Sequence, residues 1–194
     1  VVVNTFTYHM SPAGILFHEA IRDCGATAVP MGTGGTEMLI QTMLDLKVTG
    51  FVGTPTFLMN VIRKAEETGH EFRHDFSIKK SWFTGEMLPP SLRKTFEGDY
   101  HIATSQAYAV TEPGGAIAYE CPQHQGYHIS AESIILETIK DNGQLAEPGE
   151  RGRIIVTDLR NYAMPYIRYE NGDIGVISDR SCCCGRSLPL LESI

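Results

Sequence analysis

The chain has 194 residues, of which 42% are hydrophobic and 20% are charged, a composition typical of a globular protein with a buried core. Its 16 basic and 23 acidic residues give a formal charge of −7, and no face of the sequence forms a cationic stripe. These features argue against nucleic acid as a partner.

Membrane and secretion signals are also missing from the printed sequence. No apolar run approaches the roughly 20 residues that a membrane-spanning helix needs, so we expect no membrane partner. Residues 1–4 resemble a strand rather than a signal peptide, and we interpret the sequence as a piece of a longer protein. The 5 cysteines include three in succession, Cys182 to Cys184, which does not suit paired disulfides. A reducing cytoplasm is therefore the expected location.

The first part of the chain alternates short β-rich runs with amphipathic helical patterns. Strands are predicted at residues 1–5, 26–30, 48–52, 78–84 and 100–105. Helices are predicted from Ser11-Pro12 to Gly25, from Thr36 onward, from Thr54-Pro55 to before Gly69, and briefly after Pro90. This alternation predicts an α/β fold, with a parallel sheet and crossover helices. Ligands of such sheets bind beyond the carboxyl ends of the strands.

The second part of the chain has a different sequence pattern, in which strand-like runs are separated by turns rich in Gly, Pro and Asn. These runs are residues 116–121, 132–139, 153–157 and 174–178. They predict a smaller antiparallel β-rich lobe. We therefore expect two subdomains, residues 1–115 for nucleotide binding and residues 116–194 for the β-rich lobe.

The segment from Tyr108 to Glu112 carries an aromatic ring, a hydroxyl and a carboxylate directly after a predicted strand. A ring can stack on a purine, the Thr111 hydroxyl can bond a phosphate oxygen, and the Glu112 carboxylate can hold Mg²⁺. The alternative is a polar turn capped by glycines. Gly34-Gly35 also precedes a helix, but without a Walker lysine we interpret it as a tight turn.

A second candidate segment runs from Pro165 to Asp173. Asp173 follows Gly172 at a predicted turn, where its carboxylate could accept two hydrogen bonds from a ribose diol. Arg168 could brace that aspartate or meet a phosphate. The alternative is an Asn-Gly hairpin turn with a solvated aspartate.

The cysteines suggest a structural zinc site. Cys121 ends one predicted strand and His128 begins the next, while Cys182 and Cys184 belong to a glycine-followed knuckle. Three thiolates and an imidazole complete a closed tetrahedral zinc site. His124 is an alternative to His128, and which thiols of residues 182–184 bind is left open.

The order of these motifs resembles the phenylacetate–coenzyme A ligase branch of the adenylate-forming enzymes. The resemblance covers nearly the whole chain. It rests on Thr54-Pro55, Gly85-Glu86, Tyr108-x-x-Thr-Glu112, Glu120-Cys121 with Gly126-x-His128, residues 163–168, Gly172-Asp173, and Cys182 to Arg186.

The resemblance implies a two-step reaction. A small carboxylic acid attacks the α-phosphate of ATP to give an acyl-adenylate, and coenzyme A then takes the acyl group. By this resemblance Tyr108 stacks on adenine, Thr111 bonds the α-phosphate, Glu112 holds Mg²⁺ and Asp173 grips the ribose hydroxyls. Further, Gly85 and Glu86 border the adenine, and Tyr8 forms part of the aryl pocket. Asn171 stands where the family usually has Thr, and we expect the isolated piece to turn over little substrate.

Two other functions remain open at this point. One is an adenylyltransferase on the same scaffold, such as the deazaflavin-cofactor synthetases. The other is a non-catalytic, zinc-stabilised binding module. Self-association into a homodimer is also left open.

Overall fold

The computed structural model describes every residue from 1 to 194. The chain forms two compact units, residues 1–106 and residues 107–194. The division falls inside one strand, Ala103–Val110, whereas the sequence pattern suggested a boundary after residue 115.

The first unit is built on a parallel sheet. Its strands are β1 (Val2–Asn4), β2 (Ala28–Pro30), β3 (Gly50–Gly53), β4 (Lys80–Phe83) and the first half of β5 (Ala103–Val110). Adjacent strands pair in parallel in the order β2-β1-β3-β4-β5. The predicted parallel sheet with crossover connections is therefore confirmed.

Helices connect these strands. They are α1 (Ala13–Asp23), α2 (Thr36–Asp45), α3 (Pro55–Glu67), the short α4 (Phe72–Asp75) and α5 (Pro90–Lys94), which continues into a π-helical turn (Thr95–Asp99). None of these helices is long and apolar enough to cross a bilayer.

The helix α3 follows its predicted boundaries closely. The Thr54 hydroxyl accepts a hydrogen bond from the backbone N–H of Phe57 at 3.3 Å, and Pro55 occupies the first helical position. Leu58 and Ile62 are fully buried in the core of this unit. Burial of this apolar stripe stabilises the helix against the sheet.

The start of α1 differs from the prediction. We expected Ser11 to cap the helix and Pro12 to be its first residue, but the helix begins at Ala13 and Pro12 is the N-cap. The reason is that the Pro12 carbonyl already accepts the first helical hydrogen bond, from the Leu16 N–H at 2.9 Å. The Ser11 hydroxyl instead accepts from the Ala13 N–H at 3.3 Å.

The second unit is an antiparallel sheet, as predicted for the β-rich lobe. Its strands are the second half of β5, β6 (Gly115–Glu120), β7 (Tyr127–Ile129), β8 (Ile134–Ile139), β9 (Arg151–Asp158), β10 (Tyr169–Ile177) and β11 (Leu190–Ser193). They pair in the order β5-β6-β7-β11-β10-β9-β8. The core of this unit contains Ile117, Ile154 and Val156, each 0% exposed.

Candidate nucleotide site and cysteine–histidine cluster

Asp173 lies in an irregular part of β10. The pairing of β10 with β9 is regular at Glu170 and resumes at Ile174, with a register shift between them. Gly172 has a φ of 90°, a conformation that glycine adopts without strain. The Asn-Gly pair therefore forms a bulge within a strand rather than the turn expected at Gly172, and the alternative of a hairpin turn is wrong. Bulges of this kind redirect side chains and are common beside active sites.

The bulge brings Asp173 and Asn171 against Tyr108 on β5. The Tyr108 hydroxyl donates to Oδ2 of Asp173 at 2.6 Å. The Asn171 side-chain amide donates both to that hydroxyl at 2.5 Å and to the same Oδ2 at 2.9 Å. Two of these three bonds end on Oδ2, so Oδ1 of Asp173 stays available as an acceptor.

Tyr108 is buried, with 9% of its surface exposed. Burial, reinforced by the hydrogen bond to Asp173, raises the pKa of Tyr108 well above its usual range. The phenol therefore stays protonated at neutral pH and donates its hydrogen bond to the carboxylate. Its ring packs in the core of the second unit, and stacking of a purine on the remaining surface stays a prediction.

Thr111 and Glu112 lie in the turn between β5 and β6, and both are exposed. Partial desolvation and then the Glu112 carboxylate raise the pKa of Tyr169, which indicates that this carboxylate lies near the start of β10. Gly114 closes the turn with a φ of 89°, and a β-carbon there would lie 3.2 Å from Oδ2 of Asp158. The turn thus presents a hydroxyl and a carboxylate to solvent, as phosphate and metal ligands require.

Arg168 does not brace Asp173, so that part of the prediction is wrong. Its Nε lies 3.2 Å from Oε2 of Glu137, and its backbone N–H donates to the Thr157 hydroxyl at 2.9 Å. Arg168 has a φ of 51°, a left-handed conformation uncommon outside glycine, and this backbone turn directs the side chain toward β8. A phosphate contact from Arg168 stays a prediction.

Gly85 and Glu86 follow β4 in the first unit. Gly85 has a φ of 81°, and the exposed Glu86 carboxylate accepts from the Thr56 hydroxyl at 2.9 and 2.6 Å. Thr56 lies in the first turn of α3, where a carboxylate is stabilised by the helix dipole. The Glu86 side chain thus has a local structural partner that the sequence did not suggest. Its adenine contact stays a prediction.

Tyr8 lies in a cleft of about 430 Å³ in the first unit, beyond the carboxyl ends of β1 and β2. The other residues that line the cleft are Thr7, His9, Pro30, Met31, Gly32, Thr33 and Gly34. The Tyr8 hydroxyl is 2.9 Å from the Asn4 amide nitrogen, which donates to it, and 3.2 Å from Nδ1 of His18. These partners fix the ring as one wall of the cleft. Its volume is within the range of small-molecule sites.

Four predicted zinc ligands come together in the second unit. Cys121, His128, Cys182 and Cys184 each offer one donor atom, and these atoms all lie within 4.8 Å of one another. The Cys121 and Cys182 sulfurs are 3.6 Å apart, and the Cys184 sulfur is 3.3 Å from Nε2 of His128. A tetrahedral zinc centre separates its donor atoms by about 3.5–3.8 Å, and these two distances lie close to that range.

A backbone N–H group lies beside two of these sulfurs, those of Cys121 and Cys184. The backbone N–H of Arg186, and then its guanidinium and the neighbouring thiols, lower the pKa of the Cys184 thiol to about 7 against the effect of burial. Burial raises the pKa of Cys121, while the Gln123 N–H lowers it. In both cases the N–H group belongs to the residue two positions beyond the cysteine, as in metal-binding knuckles.

The competing residues lie outside this cluster. His124 is exposed, and its Nδ1 lies 3.4 Å from Oε2 of Glu120. Cys183 is also exposed, and its sulfur contacts the side-chain oxygens of Gln123 and Gln125 at 3.5 and 3.7 Å. The geometry therefore favours His128 over His124, and Cys182 with Cys184 over Cys183.

Two residues of these sites were missed by the sequence analysis. Asn171 was noted only as a departure from the family pattern, yet it joins Tyr108 to Asp173. Arg186 was noted as a motif residue, and its guanidinium lies 3.6 Å from the Cys184 sulfur. No local sequence signal gives this role to Asn171, because it depends on the bulge that holds Asn171 and Asp173 together against Tyr108.

Comparison with known proteins agrees with the motif resemblance. Residues 13–166 match the family model described as AMP-binding enzyme. Curated relatives include a phenylacetate-coenzyme A ligase of Thermus thermophilus, 25% identical over 95% of this chain and 42% of that protein. Another is that of Aromatoleum evansii, 28% identical over 87% of this chain and 39% of its own length. The chain thus spans about two fifths of these relatives.

Solved structures share the fold. A 2-hydroxyisobutyryl-CoA ligase structure with 2-HIB-AMP and CoA has a TM-score of 0.90 at 22% identity, over 99% of this chain and 42% of that one. A long-chain-fatty-acid-CoA ligase of Archaeoglobus fulgidus has a TM-score of 0.68 at 17% identity, over 99% of this chain and 43% of that one. Since the family model covers most of the chain, the protein belongs to the AMP-binding enzyme family.

Proposed function

We propose that this chain carries the nucleotide-binding part of an AMP-forming acid–CoA ligase, which activates a small carboxylic acid with ATP and then forms the CoA thioester. The observation that carries this proposal is the Tyr108–Asn171–Asp173 arrangement. It orients a carboxylate through one oxygen and leaves the other available for a diol. The ligase names of the relatives favour this reaction over an adenylyltransferase or a non-catalytic module.

In this proposal Asp173 binds the ribose. Its Oδ2 is held by two donors, so its Oδ1 accepts the hydrogen bonds of the ribose hydroxyls. Tyr108 and Asn171 act by fixing the direction of that carboxylate. Holding the carboxylate before the ligand arrives reduces the entropy that binding costs. Adenine contacts from Tyr108, Gly85 and Glu86 belong to the same proposal through the family resemblance.

Thr111 and Glu112 act on the phosphates. The Thr111 hydroxyl donates to an α-phosphate oxygen, and the Glu112 carboxylate is the expected ligand of Mg²⁺. Both groups are exposed in the turn after β5, where a triphosphate could reach them. A bound Mg²⁺ would neutralise phosphate charge as the acid attacks. Because the attacking carboxylate comes from the substrate, these two side chains need only position and polarise the phosphates.

The carboxylic acid is proposed to enter the cleft beside Tyr8. This cleft combines an aromatic wall with Met31, Pro30 and the hydroxyl of Thr33. Such a lining suits a small acid with a short apolar part. Phenylacetate is one member of that class, and coenzyme A is the proposed acyl acceptor.

The cysteine–histidine cluster is proposed to hold a structural zinc ion. Four protein ligands leave no open coordination position, so the metal would tie the loop after β10 to the β6–β7 hairpin without taking part in catalysis. All 5 cysteines are free thiols, which supports a reducing, cytoplasmic location. Self-association into a homodimer stays a prediction.

Trapping of the activated acid tests the proposed reaction. The full polypeptide encoded by the gene is incubated with ATP, Mg²⁺, hydroxylamine and single carboxylic acids. We expect hydroxamate formation that depends on both ATP and the acid. Release of pyrophosphate with a nucleotidylated product and no hydroxamate would support the adenylyltransferase instead. No ATP consumption with any acid would leave the binding-module interpretation.

A further inference from the structure

A second cleft lies in the first unit, at the amino ends of β4 and β5. It has a volume of about 350 Å³. The residues that line it are Arg73, His74, Phe76, Ser77, Ile78, Lys79, Tyr100 and His101. Lys79 directly precedes β4, and His101 lies shortly before β5. Because β4 and β5 are parallel, this edge of the sheet is opposite the edge where Gly85 and Glu86 follow β4.

The rim of this cleft is basic although the chain as a whole is acidic, with a formal charge of −7. Arg73, His74, Lys79 and His101 line it, and no carboxylate is among the lining residues. Lys79 forms no ion pair with any acidic side chain. Nη2 of Arg73 contacts Nε2 of His101 at 2.7 Å, and His101 has a φ of 54°. The left-handed backbone at His101 therefore brings its imidazole to Arg73 rather than to an acid.

Carboxylates lie beside this cleft, and two of them contact its lining residues His74 and Tyr100. Glu71 lies 3.3 Å from Nε2 of His74, and Oδ2 of Asp75 accepts from the Glu71 N–H at 2.8 Å. Glu66 accepts from the Tyr100 hydroxyl at 3.1 Å. Of the four basic residues, only His74 has a carboxylate partner, so Arg73 and Lys79 remain uncompensated at the rim.

The floor of the cleft is apolar and aromatic. Phe76 and Ile78 are buried at 8% and 7% exposure, and Tyr100 is half-buried. Phe76 stacks on Phe72 with ring centroids 4.4 Å apart, which fixes the floor. An apolar floor below two uncompensated cations suits a ligand with a planar ring and a separate anionic group.

We propose that this cleft is a binding site for a small organic phosphate that carries a planar ring. The phosphate lies between Arg73 and Lys79, with the Ser77 hydroxyl as a further donor, and the ring rests on Phe76 and Tyr100. All of these residues belong to the first unit, whereas Tyr108, Asn171 and Asp173 belong to the second. The proposal therefore does not depend on the ligase function.

The test is a titration of the full polypeptide, labelled with ¹⁵N-histidine, with phenyl phosphate, inorganic phosphate or phenol. His74 and His101 signals are assigned with His74→Gln and His101→Gln. We expect phenyl phosphate to shift both signals at lower concentration than inorganic phosphate, and phenol to leave them unchanged. Lys79→Gln should weaken the binding of phenyl phosphate about tenfold, because one close charge is lost. Lys80→Gln, the same change at the neighbouring exposed lysine that does not line the cleft, should change it less than about twofold.

Three outcomes would overturn the proposal. Phenyl phosphate could leave the His74 and His101 signals of the unaltered protein in place up to millimolar concentration. Lys79→Gln and Lys80→Gln could weaken binding equally, which would indicate non-specific attraction. Inorganic phosphate could bind as well as phenyl phosphate, which would remove the role of the aromatic floor.

Discussion

The hydroxyl of Tyr108 donates to Oδ2 of Asp173 at 2.6 Å, although the two residues are 65 positions apart in the chain. This contact joins β5 to the bulge of β10. It fixes a carboxylate whose second oxygen is available to a ligand. The proposed nucleotide function rests on this pair, and the variants below separate its structural role from its binding role.

The substitution Tyr108→Phe keeps the ring and removes the donor. We expect a loss of about 1–2 kcal/mol of stability at neutral pH, because Asp173 and Asn171 lose a buried partner. Chemical denaturation measures this loss. Tyr162→Phe is the matched control, since Tyr162 is 88% exposed. Equal stability of the two variants would contradict the structural role of the Tyr108 hydroxyl.

The stability of Tyr108→Phe should also depend on alkaline pH differently from that of the unaltered protein. Burial and the Asp173 bond raise the pKa of Tyr108 in the folded protein above the usual value for tyrosine, about 10. A raised pKa contributes stability that is fully present below the unfolded pKa, and this contribution is lost as pH rises above it. Above about pH 10, the unfolded pKa of tyrosine, the stability of the unaltered protein should therefore fall more steeply with pH than that of Tyr108→Phe. If stability fell with pH at the same rate in the unaltered protein, in Tyr108→Phe and in the reference Tyr162→Phe, titration of Tyr108 would not contribute to stability.

Glu112→Gln tests the proposed magnesium ligand. The amide keeps the size of the side chain and removes the charge that a hard cation prefers. We expect the affinity for ATP with Mg²⁺ to fall about tenfold, and the affinity for AMP without metal to stay within about twofold. Calorimetry measures both. Glu132→Gln, a second exposed glutamate of the same unit, is the control. If the affinities for ATP with Mg²⁺ and for AMP without metal fell equally in Glu112→Gln, Glu112 would not be a magnesium ligand.

Zinc binding is tested by one pair of neighbouring cysteines. Cys184 belongs to the four-residue cluster, whereas Cys183 is exposed and lies outside it. Metal analysis should give about one zinc per chain for the unaltered protein and for Cys183→Ser, and much less for Cys184→Ser. A chelator should lower the thermal midpoint of the first two proteins, because a ligand that binds only the folded state stabilises it. A metal-free protein with an unchanged midpoint would end the zinc proposal.

The Glu86 carboxylate at the start of α3 gives a further prediction. Glu86→Gln should lower stability by about 0.5–1 kcal/mol, because a negative charge is lost beside a helix N-terminus. Glu67→Gln removes the same charge at the other end of the helix and should leave stability unchanged or slightly higher. Thermal unfolding compares the two. If both substitutions lowered stability by the same amount, the helix dipole would not account for the effect of Glu86.

Local signals were sufficient for much of the fold. Thr54-Pro55 marked the start of α3 because a hydroxyl cap and a proline at the first position act on adjacent residues. The Cys121, His128, Cys182 and Cys184 set could likewise be predicted, since zinc chemistry restricts the residue types.

Tertiary contacts account for what the sequence did not reveal. Asn171-Gly172 carries the signal of a hairpin turn, but pairing with β9 on both sides makes it a bulge. Arg168 lies only five positions before Asp173 in the chain, but its side chain pairs with Glu137 on β8. The strand β11 (Leu190–Ser193) is too short for a periodic signal and forms through its partners β7 and β10.

The most direct test compares AMP with 2′,3′-dideoxy-AMP in calorimetry of the unaltered full polypeptide and of Asp173→Asn. If Asp173 grips the ribose hydroxyls, the unaltered protein should prefer AMP by about tenfold or more, and the variant should bind both ligands with nearly equal, weak affinity. If the preference for AMP is the same in both proteins, Asp173 does not bind the ribose and the central claim is wrong.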